Sequence, residues 1–370
     1  MSRLSRPVWA EISLDNIAFN IQQFRKHIGP NCDLMAVVKA NAYGHGALET
    51  AYTMIDAGAN WMAVALPEEA VRLRRGGITA PILVLGAVSE DELDVCVAHD
   101  LGVTVYEPHI ARGLSRAAVA QNKEARVHIK VDTGMGRLGL LPDDFGRLVD
   151  LVLHLPGLRI EGVFTHFAQA EKPDLEYTQW QWERFEKVMA ELSAAGVNVP
   201  YFHAANTAAT MFFPPAQLDL VRVGLGLYGM YPDGRRPIEL KPALQLKTKV
   251  AFVKRIPPGS AVSYDSAYVT WKDTSIAVLP IGYGDGLTRD LSNQGRVIIN
   301  GQYCPIVGKV TMDHTMIDVG DLPVRIGDEV ILIGSNGEKE ITVDEWAYLL
   351  GTINYEVTTR LTSRVERVYL

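Results

Sequence analysis

The feature that most constrains the fold is an alternation running through the first two thirds of the chain. Eight short apolar segments, often β-branched, recur at Leu34–Val38, Trp61–Ala65, Ile82–Leu85, Val103–Val105, Val127–Val131, Ile160–Thr165, Tyr201–Ala204 and Leu220–Val223. Seven intervening stretches have helical periodicity or length, among them Pro108–Asn122 and Thr178–Ala195, where Glu183, Phe185, Val188, Met189 and Leu192 mark a mixed amphipathic face. Strands that alternate with helices build a parallel sheet. None of the eight segments alternates polar with apolar, as expected of strands covered on both faces. Over roughly 240 residues this pattern points to an α/β fold, a closed (β/α)8 TIM-type barrel, although strand count alone leaves an open doubly wound sheet in play.

After Gly229 the texture changes. Pro257-Pro258-Gly259, Gly282–Gly286, Asn300-Gly301, Gly327-Asp328 and Ser335-Asn336-Gly337 punctuate short strand-like segments, including Ala277–Leu279, Val297–Ile299 and Glu329–Ile333. Asn300-Gly301 is a type I′ hairpin signal, and one helix-like stretch, Val343–Leu350, interrupts the strands. The expected organisation is a barrel domain over 1–240 and a mainly β domain over 241–370, with residues 1–11 packing with the β domain and the linker near Tyr231–Gly234. A chain of 370 residues can bury two such cores.

A net charge of −7 with no Lys/Arg run argues against a nucleic-acid surface. Cys32, Cys96 and Cys304 are isolated, without metal-ligand spacing, and read as buried thiols of a reducing compartment. The opening Met1–Pro7 has no apolar core behind its charges, and no apolar stretch is long enough to span a bilayer, so a cytoplasmic location is expected.

In a barrel, catalytic groups sit at the carboxyl ends of the strands, and that rim can be read directly. It carries Lys39 after the first segment, Lys130 and Asp132 at the fifth, Arg137 beyond, His166 at the sixth, Asn206 and Thr207 after the seventh, and Arg222 with Gly224 at the eighth. Lys39 stands where Ala36-Val37-Val38 gives way to a glycine-rich turn. A lysine at a buried strand end loses hydration, and the neutral amine so favoured is the nucleophile that condenses with a carbonyl. An isolated strand-end lysine more often carries its charge out to water; the company Lys39 keeps favours the chemical role. The start at Asn206-Thr207 offers a hydroxyl and free helical N–H groups to an anion, and Val223-Gly224-Leu225-Gly226 removes side chains where backbone would approach a ligand.

The run Ala36–Gly46 matches, nearly residue for residue, the pyridoxal-phosphate lysine motif of the alanine racemase family, and the chain resembles that family from its first strand to its last residues. The resemblance implies pyridoxal 5′-phosphate as cofactor and interconversion of L- and D-alanine by two bases, Lys39 and Tyr264, the latter in Val262–Tyr268. It implies that Arg222 donates to the cofactor ring nitrogen, where a decarboxylase of the same barrel type carries glutamate, and that a hydrogen-bonded chain runs from Tyr264 through His166 to Arg222. Tyr43 and Tyr355 match phosphate-contacting tyrosines. Arg137 matches the arginine that steers cofactor and substrate carboxylate, and Lys130 a lysine carbamylated in many members. Met312 and Asp313 match substrate-proximal residues, and Tyr283 matches a tyrosine of the substrate corridor, where Glu171, Arg289, Lys309 and Ile353 are also expected, with a Glu171–Lys309 pairing. A head-to-tail homodimer would complete each site, and D-alanine would serve peptidoglycan synthesis. The alternatives are a broader-specificity or serine-preferring racemase, a decarboxylase, which Arg222 opposes, and a non-catalytic cofactor-binding protein.

Overall fold

The computed structural model describes residues 6–370; Met1–Ser5 of the opening segment lie outside the described residues. The chain divides into two compact units, one of Asp15–Ala42 with Ala47–Pro242, the other of the chain up to Leu14, Tyr43–Gly46 and Ala243–Leu370. The first strand, β1 (Val8–Ile12), belongs to the second of these.

The larger unit contains eight parallel strands: β2 (Asp33–Val37), β3 (Trp61–Val64), β4 (Ile82–Val84), β5 (Gly102–Val105), β6 (Ala125–Lys130), β7 (Leu158–Phe164), β8 (Tyr201–His203) and β9 (Leu220–Val223). Their neighbour order is β8-β7-β6-β5-β4-β3-β2-β9. The last strand returns beside the first, with Asp33 opposite Leu220 and Ala36 opposite Val223. Across the remaining seam, Asp219 N–H reaches Phe202 O at 3.3 Å and Arg222 N–H reaches Ala205 O at 2.9 Å. The sheet is therefore a nearly closed barrel, and the open doubly wound alternative falls.

Helices fill the seven gaps between these strands, and three of them, Pro67–Arg75, Pro108–Ala120 and Pro142–His154, open on a proline whose missing N–H costs the first turn nothing. The helix Leu14–Ile28 buries Ile17, Ile21, Phe24 and Ile28, one face at helical spacing, beneath the barrel wall.

In the smaller unit β1 pairs in parallel with Glu366–Tyr369 and antiparallel with β10 (Leu244–Lys249). Glu329–Ser335 continues that sheet, followed by the hairpin Arg296–Ile299 with Gln302–Pro305. Its turn residues Asn300 and Gly301 have φ of 47° and 72°, the double left-handed backbone of a type I′ turn. A three-stranded sheet, Phe252–Ile256, Thr274–Leu279 and Thr315–Gly320, carries a small core of Val262, Ile276 and Val307. The expected helix is present at Val343–Leu349; a second, Asn354–Thr359, was not expected, since six residues carry too little periodicity to register. Among the described residues no helix is long and apolar enough to cross a membrane. The three cysteines are buried free thiols, and burial raises them to about 11, 12 and 11 for Cys32, Cys96 and Cys304.

Candidate active site

At the end of β2 the chain reverses through an unusual device. Ala40, Asn41, Ala42 and Tyr43 all have left-handed backbone, φ between 52° and 55°. For non-glycine residues that conformation costs about 1–2 kcal/mol each, so local bonds must hold it. Ala42 N–H returns to Val38 O at 2.9 Å, Asn41 Oδ1 accepts from Ala47 N–H at 3.0 Å, and Ala40 N–H donates to Glu69 Oε1 at 2.6 Å. The other Glu69 oxygen accepts from the Ala65 and Leu66 amides, which ties the ends of β2 and β3 together. The reversal leaves Lys39 half-buried at the rim. Burial first, then the Arg137 charge, lower its ammonium below the usual lysine range against the opposing pull of Glu69.

Lys130, the last residue of β6, is buried, and burial, Arg137 and Arg222 bring its ammonium down to about 8. Its Nζ lies 5.4 Å from the centre of the Phe164 ring, and the Arg222 guanidinium carbon lies 5.2 Å from the same ring. Exposed Arg137 is placed by Asp132. One oxygen of that carboxylate accepts from Gly134, Met135 and Gly136 N–H at 2.8–3.1 Å, and the other from Arg137 N–H at 3.2 Å. Although burial alone would raise the Asp132 carboxyl, these four donors hold it below the ordinary range.

Arg222, 3 % exposed, has no carboxylate among its hydrogen-bond partners in the described residues. Its Nη1 donates to His203 Nδ1 at 2.9 Å, and Nη2 to Thr165 O at 2.8 Å, Ala204 O at 2.9 Å and His166 Nδ1 at 3.2 Å. Desolvation and the Arg137 charge bring it to about 9. Desolvation, then Arg222, Arg137, Lys130 and Lys39, hold His166 well below the usual imidazole range, so it is neutral. With Nδ1 accepting from Arg222, its proton sits on Nε2. The Arg222–His166 half of the expected chain to Tyr264 is thus formed.

At the β8 end Asn206 is a helix cap, its Oδ1 accepting from Ala209 N–H at 2.9 Å. Thr207 Oγ1 accepts from Gly224 N–H at 3.0 Å, which leaves the hydroxyl proton free to donate elsewhere. A Cβ on Gly226 would lie 2.5 Å from Phe24 Cζ and 3.0 Å from Thr207 Cγ2, so that glycine makes room for the buried Phe24 ring.

In the smaller unit Tyr43 and Tyr355 face one another, ring centres 6.0 Å apart at 46°. Tyr264 is 68 % exposed on a turn where Ser263, Asp265 and Ser266 all have positive φ. Both candidate bases therefore adjoin runs of left-handed non-glycine backbone, the kind of conformational cost that functional sites retain. Met312 is exposed; Asp313 is bound by Arg364 at 2.6 Å. Tyr283 and Gly284 N–H donate to Thr311 and Met312 O at 3.0 and 2.9 Å, so these segments are joined. Arg289 and Ile353 are exposed in the same unit, while Glu171 is half-buried in the larger one, its carbonyl taken by Arg235. Lys309 pairs with Asp265, a carboxylate presented by the adjacent turn.

Sequence reasoning missed three contributors. Buried Gln181 joins the ends of β6 and β7, donating to Thr133 Oγ1 at 3.4 Å and to His166 O at 3.2 Å and accepting from Ala168 N–H at 2.9 Å. His128 and His203 lie wholly buried inside the barrel. Nothing in a helix glutamine or a strand histidine announces such a role.

Two family models match the chain, "Alanine racemase, N-terminal domain" over residues 12–232 and "Alanine racemase, C-terminal domain" over 243–369. An alanine racemase of Symbiobacterium thermophilum is 47% identical, covering 98% of this chain and 97% of its own. One of Halothermothrix orenii is 44% identical, covering 99% and 98%. The solved alanine racemase of Clostridium difficile 630 is 37% identical with a TM-score of 0.96, covering 100% of this chain and 97% of that one.

Proposed function

The chain belongs to the alanine racemase family and interconverts the enantiomers of alanine, and we propose that it does so with pyridoxal 5′-phosphate and with Lys39 and Tyr264 as the two bases. The observation that carries the reading is the rim of the larger unit. Lys39, Lys130, Arg137 and Arg222 act on one another there, while the carboxylates Glu69 and Asp132 are spent on backbone amides. Such a set suits a ligand that brings its own anions, a phosphate and a carboxylate. When bound, the cofactor supplies an electron-withdrawing ring that stabilises negative charge left at Cα.

The residues divide the remaining work. Thr207 would offer its hydroxyl proton to the phosphate, beside the turn that Asn206 caps and Gly224 adjoins, and family resemblance gives Tyr43 and Tyr355 phosphate contacts. Lys39, kept easy to deprotonate by burial and Arg137, would hold the cofactor and exchange a proton on one face of Cα. Arg222 would meet the ring nitrogen as a donor only, since a guanidinium has no lone pair to give. That limits charge withdrawal by the ring and opposes a decarboxylase. Arg137 orients the substrate carboxylate, and Met312 and Asp313 stand near the substrate. On the second face Tyr264 needs help to act as a base, because a phenol ordinarily titrates near 10. A neutral His166 with its Nε2–H free to donate favours the phenolate.

Tyr264, Met312 and Ile353, all more than half exposed, are the kind of surface a second copy covers. We read the enzyme as a head-to-tail homodimer with composite sites, with Tyr283, Arg289, Ile353 and Glu171 along the substrate corridor. It acts in the cytoplasm, supplying D-alanine for peptidoglycan. The test is incubation of cofactor-loaded protein with L-alanine in D₂O. D-alanine carrying deuterium at Cα is expected; recovery of unchanged L-alanine would remove the proposal.

A further inference from the structure

Arg222 is a buried cation joined to the Glu161 carboxylate through two imidazoles. His203 Nε2 lies 2.9 Å from His128 Nδ1, and His128 Nε2 lies 3.4 Å from Glu161 Oε2. Donor logic leaves one arrangement. A guanidinium cannot accept, so His203 must present a lone pair at Nδ1 and carry its proton on Nε2. That proton needs His128 Nδ1 as acceptor, so His128 in turn carries its proton on Nε2, facing the carboxylate. Every hydrogen bond from Arg222 to Glu161 then points the same way, with both imidazoles neutral.

We propose that Glu161 is a positioning residue for Arg222: through His128 and His203 it fixes both imidazole tautomers so that Arg222 always meets a lone pair. The barrel interior is shaped for this relay. A Cβ on Gly162 would stand 2.4 Å from His128 Nδ1 and 2.7 Å from Cε1, so the glycine keeps the imidazole's slot open. His203 stacks on Phe164 with ring centres 4.7 Å apart and planes 6° apart, and Trp61 meets His128 edge-on at 5.6 Å. These contacts hold both rings in their planes. Arg159 at 3.3 Å and Arg126 at 3.8 Å keep the terminal carboxylate ionised.

A terminus that could donate would reverse the series. His128 would accept at Nε2 and donate from Nδ1, His203 would accept that hydrogen bond at Nε2 and carry its own proton on Nδ1, and Arg222 would meet a donor with a donor. A mobile guanidinium cannot hold a fixed face toward the cofactor ring. This last consequence rests on the proposed function; the relay does not.

The test is long-range ¹H–¹⁵N correlation on the full-length, ¹⁵N-histidine-labelled protein near pH 7.5. His128 and His203 are both expected as Nε2–H tautomers, and finding His203 protonated on Nδ1 in the unaltered protein would overturn the proposal without recourse to any variant. In Glu161→Gln the His203 signals should move toward the Nδ1–H form, and kcat should fall by about tenfold with the KM for alanine within about twofold. Glu161→Asp, which keeps an acceptor, should restore the tautomers and part of kcat. Unchanged His203 signals in a folded Glu161→Gln protein would also overturn the proposal. Because tautomers are read without turnover, failure of the relay and failure of the racemase mechanism give different results.

Discussion

Lys130 has the chemistry most open to direct measurement. Burial, then Arg137 and Arg222, bring its ammonium from 10.5 to about 8. At pH 8 about half of the Lys130 amines are then neutral, against about one in three hundred for an unperturbed lysine, an enrichment in nucleophile of about 150-fold. A neutral amine adds to the carbon of CO₂ and loses a proton to give a carbamate anion, and this one would form among three cations. The perturbation is exposure of the purified protein to ¹³C-bicarbonate at pH 8, read by ¹³C NMR. One slowly exchanging carbamate resonance is expected in the unaltered protein and none in Lys130→Arg, whose guanidinium stays charged. A resonance that survives in Lys130→Arg, or its absence from the unaltered protein at saturating bicarbonate, would refute the reasoning. The same shift has a signature in stability. In CO₂-free buffer the unfolded chain holds this proton up to 10.5 and the folded chain only to about 8, so between those values the unfolded state binds more protons and stability rises with pH. The rise approaches about 3 kcal/mol on the scale of 1.36 kcal/mol per unit, and it should vanish in Lys130→Met.

Mixing Lys39→Ala with Tyr264→Ala protein should recover activity as subunits exchange, because a mixed dimer would carry one intact site; proven exchange without recovery argues against a shared site. Asp132→Ala removes the acceptor for four loop amides, so the KM for alanine should rise about tenfold as Arg137 loses its placement; an unchanged KM would show that the loop holds itself. Gly226→Ala drives a Cβ to 2.5 Å from the buried Phe24 ring and should cost about 1–3 kcal/mol by thermal or denaturant unfolding. A neutral result would mean that the Phe24 ring yields freely. Asn206→Ala should cost about 1 kcal/mol by the same assay as the Ala209 amide loses its cap.

Local signals carried most of the fold. Each barrel strand is a short apolar run between turn residues, and the Asn300-Gly301 hairpin announces itself because few residues other than Asn and Gly accept left-handed backbone at both central positions. The same locality made Lys39 readable, since strand, lysine and turn are contiguous. Closure of the barrel was not local: it depends on β9 meeting β2 across nearly the whole domain, and eight strands in an open sheet carry the same pattern.

The environment of the site was decided by tertiary structure alone. Asn206 and Arg222 could be placed on the rim from sequence, yet that Asn206 caps its own helix and that Arg222 has imidazoles instead of a carboxylate beside it could not. His128 and His203 lie 75 residues apart, and Glu161 and His128 33 apart. Their contact is fixed by strand register, barrel radius and the space left by Gly162, three quantities set only once all eight strands are assembled. The sequence by itself determined which residues are present at each strand end; only the closed sheet determined which of them share protons, because hydrogen bonding depends on separations of a few tenths of an ångström that no local pattern encodes.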